Sequence, residues 1–365
     1  MTQKIIEIAK TLMRIKSVSG NLSGIQDILS YCTNYFKNTK ACVRVYQEID
    51  ISPVLVISNK ETESFDVAVL GHLDVVPADE EMFEPVIRDG KLYGRGGLDM
   101  KAWVAASFQV MEDLLSKGSD KTFAIILTTD EETKATGAKY LTDKTKIKIK
   151  TILDVDVAGN ISEIVTRCKC PLFIKLVATG VNAHGSLPWE GSDANERLMQ
   201  TIINLRQHFP YYDKDAHVPD TDWVSTMHVG TFSGGSAVNV ISEYAEANLD
   251  FRLTEQFPLE QVYRLIDEAL VTGVSYTVQV EGLLIQMDEN NPDLLRYKQC
   301  VEEITGQPAR FVSMGGATDS RHFFKKGVNV IMHSGSGAGM HSKDEFCLTD
   351  SIVQMYQIQT AFLKS

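Results

Sequence analysis

The stretch FDVAVLGHLDVVP, residues 65–77, predicts a buried strand that delivers a histidine and a carboxylate to the edge of a sheet. An apolar run leads into His72, and Asp74 follows two residues later. Because side chains alternate along a strand, both point to the same side, where a carboxylate can hold an imidazole in the tautomer that binds a metal. His-x-Asp alone is weak evidence for a metal site, so further candidate ligands must be found elsewhere in the chain.

Further acidic residues and a second histidine end or follow other strand-like segments. They are Asp99 in GRGGLDMK, Glu131 and Glu132 in TTDEET, Asp156 in ILDVDVA and His341 in GMHSKDE. Ligand sites in α/β sheets gather at the carboxyl ends of strands, so these side chains are expected to meet. Together they predict a hydrolytic site with two metal ions.

Length and composition indicate a folded protein of two domains. The chain has 365 residues, whereas one domain accounts for roughly 150. Hydrophobic residues make up 44% and charged residues 23%, which is ordinary for globular proteins. The formal charge of -12 disfavours nucleic acid and anionic membranes as partners. No run of about 18 apolar residues occurs, and the first residues have helical rather than signal-peptide spacing.

Cysteine usage indicates reduced thiols and hence a cytoplasmic protein. Six cysteines are scattered along the chain, and among them Cys168 and Cys170 are close together. Such a pair is a weak metal signal, because a zinc site of this type needs a second pair or a nearby histidine.

The order of predicted elements indicates an α/β domain with an insertion. Strands and helices alternate up to residue 156, which predicts a mostly parallel sheet flanked by helices. Residues 167–281 are predicted to contain four strands and two helices, as expected for a small α+β domain. The α/β pattern then returns and includes His341. We therefore predict a catalytic domain from residues 1–166 and 282–365, and an inserted domain from 167–281.

Two ions close together need a carboxylate that bridges them, and Asp99 is the natural bridge. One ion is predicted to bind His72, Asp99 and Asp156. The other is predicted to bind Asp99, Glu132 and His341. Imidazole and carboxylate ligands without thiolate suit zinc first, with cobalt or manganese as alternatives.

Glu131 and Glu132 are adjacent acids, which usually mark an exposed turn. Here they follow FAIILTT, a buried type of strand, and a loop can send neighbouring side chains in different directions. Metal binding lowers the pKa of water from about 15.7 to near 7, and a carboxylate within reach then takes the proton and passes it to the leaving amine. Glu131 is predicted to be this general base, and Asp74 to orient the ring of His72.

The motifs GHLDVVP, LYGRGGLDMK, TTDEE, AHGSLP and MHSKDE resemble those of a dinuclear zinc hydrolase family. This family contains acetylornithine deacetylase, succinyl-diaminopimelate desuccinylase, aminoacylase and several carboxy- and dipeptidases. The resemblance extends from about residue 70 to residue 346. It implies a catalytic α/β domain with two metal ions and a lid domain that commonly mediates dimerisation, which corresponds to the insertion at 167–281. It assigns the same metal ligands and the same base as the reasoning from the residues.

The resemblance also implies roles that the residues alone do not indicate. His184 in TGVNAHGSLP corresponds to a lid histidine, often from the partner subunit, that stabilises the tetrahedral oxyanion. Asn239 and Arg252 correspond to residues that bind the carboxylate of the substrate. GGATDSRHF resembles a glycine-rich loop that lines the substrate pocket, here with Gly315, Gly316 and Thr318.

The sequence departs from the family pattern near the fourth ligand. Deacetylases and desuccinylases usually have Glu-Pro where this chain has Asp156 and Val157, and Asp is more familiar there from the peptidase branches. Asp154 is a rival ligand, since it lies two residues earlier on the same strand face. The usual Pro after Asn-Val-Ile is Ser242. The departures leave the substrate open between an N-acyl amino acid and a short peptide.

The predicted function is hydrolysis of an amide bond in such a small substrate by hydroxide bound to two metal ions, in a homodimer formed through the lid. One alternative is a relative without catalytic activity that binds a metabolite or partner in the same cleft. Another is nucleotide binding through the glycine-rich GRGG and SGSGAG. Neither of these has the G-x-G-x-x-G pattern between a strand and a helix that binds dinucleotides.

Overall fold

The structure is a computed structural model and describes residues 2–157, 159–212 and 223–365. The chain divides into two compact units. The first comprises Met1–Thr166, Met287–Val312 and Thr318–Ser365, and the second comprises Arg167–Gln286 and Ser313–Ala317. Each unit has a hydrophobic core of its own. Among the described residues, no helix combines the length and apolarity needed to span a membrane.

The described residues form helices and strands that are interspersed along the chain. The helices are α1 (Thr2–Arg14), α2 (Leu22–Phe36), α3 (Lys101–Lys117), α4 (Thr136–Lys144), α5 (Ala194–Arg206), α6 (Leu259–Ala269), α7 (Pro292–Thr305), α8 (Ser320–Phe324) and α9 (Thr349–Lys364). The strands are β1 (Cys42–Tyr46), β2 (Val54–Ser58), β3 (Ser64–His72), β4 (Val86–Arg88), β5 (Lys91–Tyr93), β6 (Phe123–Thr128), β7 (Lys148–Asp154), β8 (Glu163–Cys168), β9 (Cys170–Thr179), β10 (Thr226–Gly234), β11 (Tyr244–Leu253), β12 (Val274–Glu281), β13 (Ile285–Gln286), β14 (Arg310–Met314), β15 (Asn329–Met332), β16 (Gly337–Ala338) and β17 (Phe346–Leu348).

The first unit is built around a mixed sheet with the strand order β1-β2-β6-β3-β7-β15-β8, and β14 also pairs with β8. The four central strands, β6, β3, β7 and β15, are parallel to one another. Towards the edges, β1, β2 and β8 pair in the antiparallel direction. The predicted α/β class is confirmed, with the parallel pairing limited to the centre of the sheet.

Apolar runs explain why strands β2 and β6 are buried on both faces. All six residues of β6, FAIILT, and all five of β2, VLVIS, are buried, as is typical of strands covered by helices on both sides. Helix α3 is buried along its first eleven residues, and it packs against α1 and α9. Trp103 and Phe108 on α3 are fully buried in the resulting core.

The second unit is an antiparallel sheet with one helix-covered face. Its strand order is β10-β11-β9-β12. Residues of β11 alternate strictly between buried and less buried positions, so the buried set faces one side of the sheet. Helices α5 and α6 bury Leu198, Val262 and Ile266 in the same core. A short pairing of Ile285 in β13 with Cys168 at the end of β8 also lies in this unit. This unit has the α+β composition predicted for the insertion.

A small sheet in the first unit joins two distant parts of the chain. Its order is β16-β17-β5-β4, and Cys347 in β17 pairs with Leu92 in β5. The loop that follows β5 leads to Asp99, and the loop that precedes β17 contains His341. The register of β5 and β17 therefore brings two of the predicted metal ligands close together, although they are far apart in sequence.

Candidate functional site

The carboxyl ends of the central parallel strands meet at one edge of the sheet, as predicted from the motifs. His72 is the last residue of β3, and β3 pairs with both β6 and β7. Glu131 lies in the loop after β6, and Asp156 follows β7 by two residues. Strand ends at such an edge commonly form ligand sites.

His72, Asp99 and Asp156 form a first group of potential metal ligands. Nε2 of His72 lies 2.9 Å from Oδ1 of Asp99 and 3.6 Å from Oδ1 of Asp156. Only 1% of the His72 surface is exposed, and Asp99 is also buried. One ligand atom from each residue lies within 4.8 Å of the others.

Asp99, Glu132 and His341 form a second group. Nε2 of His341 lies 2.9 Å from Oδ2 of Asp99 and 3.1 Å from Oε1 of Glu132. The two oxygens of Asp99 therefore face different histidines, one from each group. A carboxylate that presents one oxygen to each side has the arrangement needed to bridge two cations.

The donor set fits divalent metal ions. It consists of imidazole nitrogens and carboxylate oxygens, and no thiolate takes part. Such ligands suit zinc, and they are also compatible with manganese. Two histidines and three carboxylates that converge without a lysine or arginine among them leave negative charge that cations would balance. The residues present thus fit two ions that share Asp99.

Burial and mutual repulsion raise the pKa values of several carboxyl groups at this edge. Burial raises the pKa of Glu131 well above its usual value, and the charge of Asp156 raises it further. Burial, together with the charge of Asp99, raises the pKa of Glu132 to about 7. The pKa of Asp156 is raised mainly by burial. Burial alone would lower the pKa of His72, but the charge of Asp156 brings it above the usual value.

The ring of His72 is oriented by Asp74, but mainly through the main chain. Nδ1 of His72 lies 2.9 Å from the main-chain oxygen of Asp74 and 3.5 Å from its Oδ1. The predicted orienting residue is therefore in contact with the ring, and its main-chain oxygen is the nearer partner. The carboxylate also accepts the main-chain N–H groups of Glu131 and Glu132 at 3.2 and 3.3 Å, and the hydroxyl of Ser19 at 2.7 Å. Asp74 thus anchors the turn with the two glutamates.

Glu131 and Glu132 leave this turn in different directions. Glu132 reaches His341 in the second group, whereas Glu131 belongs to neither group. The charged residues that act on the Glu131 carboxyl group include Asp156 and Asp319. The two side chains thus lie in different surroundings, and their roles as ligand and base stay predictions.

The carboxylates of Asp154 and Asp156 have different partners in the structure. Oδ2 of Asp154 accepts the hydroxyl of Thr318 at 2.5 Å, and its Oδ1 accepts the main-chain N–H of Asp156 at 3.0 Å. Asp156, not Asp154, lies in the first group of ligands. The Thr318 side chain is buried, and its hydroxyl also contacts Ser320 at 2.6 Å. The role of Thr318 in lining the substrate pocket stays a prediction, and its hydroxyl is held by Asp154 and Ser320.

The sequence analysis missed Glu345 and Arg95, which support the Asp99 loop. Oε1 of Glu345 accepts the main-chain N–H groups of Leu98 and Asp99 at 2.9 and 3.2 Å. Its Oε2 accepts a hydrogen bond from Arg95, and both side chains are buried. The signal available in the sequence was the glutamate four residues after His341, but a run of charged residues such as KDE is typical of an exposed turn.

The remaining predicted site residues lie in the second unit. His184 is exposed, its Nδ1 lies 2.8 Å from Oγ of Ser186, and it forms a β-bridge with Val240. Asn239 is adjacent, since its main-chain oxygen accepts the N–H of Gly185 at 2.8 Å. Arg252 in β11 pairs with Asp250 at 2.9 Å.

The predicted glycine loop has open space around it. A Cβ at Gly315 would meet no atom within 4 Å, and one at Gly316 would first meet Met314 at 3.7 Å. The loop is therefore free of the close packing that forces glycine at many buried turns.

The sequence and the fold match known hydrolases. Residues 68–365 match the model of "Peptidase family M20/M25/M40". A succinyl-diaminopimelate desuccinylase of Gluconacetobacter diazotrophicus is 26% identical over 80% of this chain and 79% of its own length. An acetylornithine deacetylase of Edwardsiella ictaluri is also 26% identical, over 80% of this chain and 78% of its own length.

Among solved structures, the aminopeptidase PepT of Bacillus cereus has a TM-score of 0.81 at 18% identity, covering 100% of this chain and 98% of its own. An M20 family metallo-carboxypeptidase of Sulfolobus solfataricus has a TM-score of 0.79 at 17% identity, with 99% and 98% covered. At these identities the structures support the fold alone. The family model covers most of the chain, and the chain therefore belongs to peptidase family M20/M25/M40, a family of metal-dependent hydrolases that includes peptidases and deacylases.

Proposed function

We propose that this protein is a dinuclear metallohydrolase that cleaves an amide bond in a small N-acyl amino acid or a short peptide. The observation that carries the proposal is the position of Asp99, whose two oxygens each lie 2.9 Å from a different histidine. The relatives named as a deacetylase and a desuccinylase support an acylated amino acid as substrate. The family also contains peptidases, so a short peptide is the second substrate class to test.

The metal ligands in this proposal are the residues of the two groups. His72 and Asp156 would hold one ion, Glu132 and His341 the other, and Asp99 both. Zinc is the first choice for these donors, with cobalt or manganese next. When bound, the ions would supply Lewis acidity and lower the pKa of a coordinated water to about 7.

Glu131 acts as general base in the proposed reaction. It takes a proton from the attacking water and returns it to the nitrogen of the leaving amine. Its main chain is held by Asp74, and its carboxyl group is kept apart from the ligand Glu132. Burial raises the pKa of its carboxyl group above the usual value of glutamate.

The second unit supplies further proposed contacts. We assign His184 to stabilisation of the tetrahedral oxyanion and Asn239 and Arg252 to the carboxylate of the substrate, with Gly315 and Gly316 lining the pocket. Thr318, which follows these glycines in the chain, is assigned to the pocket lining as well. The exposed position of His184 and the open space at Gly315 are compatible with these roles. An arginine guanidinium and an amide are both groups that can bind a carboxylate.

We further propose a homodimer formed through the second unit. Met199 and Ile203 on α5 are 39% and 55% exposed. Exposed apolar residues on one helix face are a feature of protein contact surfaces.

The experiment that tests the proposal combines metal removal with a substrate screen. The protein is stripped with a chelator and reloaded with zinc, cobalt or manganese, and bound metal is counted by mass spectrometry. N-acetyl and N-succinyl amino acids, dipeptides and tripeptides are then assayed by release of amine. We expect two ions per chain and activity that disappears and returns with the metal. Full activity in a metal-free preparation would contradict the proposal.

A further inference from the structure

Glu345 is a buried carboxylate that the proposed chemistry does not use directly. Only 1% of its surface is exposed, and both of its oxygens have partners. Oε1 accepts the N–H groups of Leu98 and Asp99, and Oε2 accepts a hydrogen bond from Arg95. An ionised group at such a depth persists when it is paired and fully hydrogen-bonded, which is the case here.

These contacts shape the loop that ends at Asp99. The main-chain N–H of Gly94 donates to the main-chain oxygen of Glu345 at 3.1 Å, and that of Gly97 donates back to Gly94 at 3.1 Å. The loop from residue 94 to residue 99 thus wraps around Glu345. Because the N–H of Asp99 itself is held, the start of its side chain is fixed relative to Glu345.

The same segment carries a ligand of the second group. His341 precedes Glu345 by four residues, within a turn in which the N–H of Ser342 donates to Gly339 at 2.9 Å. His341 contacts Oδ2 of Asp99. The loop before β17 therefore presents one ligand to the second ion and fixes the bridging residue at the same time. In contrast, His72 and Asp156 are positioned by the ends of β3 and β7.

We propose that Glu345 is a positioning residue that sets the bridging carboxylate of Asp99 between the two ions. The inference rests on the proposed dinuclear site. Arg95 neutralises the charge of Glu345, so that the support adds no further negative charge to an already acidic site. Loss of the two hydrogen bonds that Oε1 accepts should affect the second ion more than the first, because the first ion has two ligands at the ends of β3 and β7.

The test separates the acceptor role of Glu345 from its ion pair. In the double variant Arg95→Met/Glu345→Gln the ion pair is gone, but the amide oxygen can still accept both N–H groups. In Arg95→Met/Glu345→Leu the ion pair and the acceptor are both gone. Thermal unfolding monitored by circular dichroism checks that both variants fold. Zinc affinity is measured by calorimetry, and the two sites are followed by the visible absorbance of bound cobalt.

We expect the Gln variant to bind two ions with affinities close to those of the unaltered protein. The Leu variant should keep the first ion and bind the second about 10- to 100-fold more weakly, the range found when partners of metal ligands are removed. Its kcat should fall, and excess metal should restore part of it. Equal affinities for the second ion in both folded variants would overturn the proposal.

If the Leu variant does not fold, Glu345→Asp replaces it. This variant keeps the charge opposite Arg95 but withdraws the carboxylate from the two N–H groups, so it must also weaken the second ion selectively. Unchanged affinities in Glu345→Asp would overturn the proposal in that case. If the unaltered protein itself binds fewer than two ions, the failure lies with the dinuclear site and not with Glu345.

Discussion

Replacement of the adjacent residues Glu131 and Glu132 by glutamine should have different effects, on the catalytic rate in the first case and on metal affinity in the second. Glutamine has nearly the same shape as glutamate, so each variant removes a charge without leaving a cavity. Glu131 belongs to neither ligand group, whereas Oε1 of Glu132 lies 3.1 Å from Nε2 of His341. Because both main-chain N–H groups stay bonded to Asp74, neither change should release the turn.

The expected magnitudes follow from these positions. A general base contributes about 10²- to 10⁴-fold to the rate, so Glu131→Gln should lose roughly 3–5 kcal/mol of transition-state stabilisation at about 1.4 kcal/mol per tenfold. It should still bind two ions, because removing its charge also relieves repulsion with Asp156. Removing a partner of a metal ligand costs about 10- to 100-fold in affinity, and loss of the ligand itself in Glu132→Gln should cost at least the upper figure.

The assay measures bound metal and kcat in the same preparations. Mass spectrometry gives the ion content after dialysis against a fixed free zinc concentration, and amine release gives kcat on the best substrate of the screen. Raising the zinc concentration should restore part of the activity of Glu132→Gln and none of that of Glu131→Gln. If Glu131→Gln kept most of its activity, or lost an ion while Glu132→Gln did not, the assignment of the two roles would be wrong.

Two further predictions concern the ligand choice and the core. Asp156→Asn should lower the affinity for the first ion by at least about 100-fold. Asp154→Asn should change this affinity much less, because the amide oxygen of the new side chain can still accept the N–H of Asp156. Calorimetry with zinc measures both affinities. Gly335→Ala should lower the free energy of unfolding by about 1–3 kcal/mol through overpacking, since its Cβ would come within 2.3 Å of the buried Trp103 ring. Gly159→Ala, whose Cβ would first meet an atom at 3.9 Å, is the control in urea unfolding.

Local patterns in the sequence were sufficient to predict the central strands and the carboxylates and histidine that follow them. The apolar runs before His72 and before TTDEET indicate buried strands, and parallel strands bring their carboxyl ends to one edge. The structure has both features. The sequence favoured Asp156 as the ligand and left Asp154 as a rival. Alternation places them on the same face, and it took the contact of Asp154 with Thr318 to separate them.

The support of Asp99 is the part that no local pattern indicates. Glu345 and Leu98 are 247 positions apart, and the register of β5 and β17 decides whether they meet. Periodicity describes how an element buries a face, and it carries no information about which two loops lie beside each other in the fold. Arg95 and Glu345 lie within the motifs LYGRGGLDMK and MHSKDE, but the motifs do not indicate that these two residues contact each other.

Asp74 has a second role that its spacing from His72 does not indicate. The spacing predicts a carboxylate that orients the imidazole, and the shortest contact of Nδ1 of His72, 2.9 Å, is with the main-chain oxygen of Asp74. The carboxylate also accepts the N–H groups of the turn after β6. One residue therefore links the end of β3, which provides a ligand, to the turn that provides another ligand and the proposed base. Any change at Asp74 should consequently alter metal binding and proton transfer together, and only the paired variants at Glu131 and Glu132 can separate these two contributions.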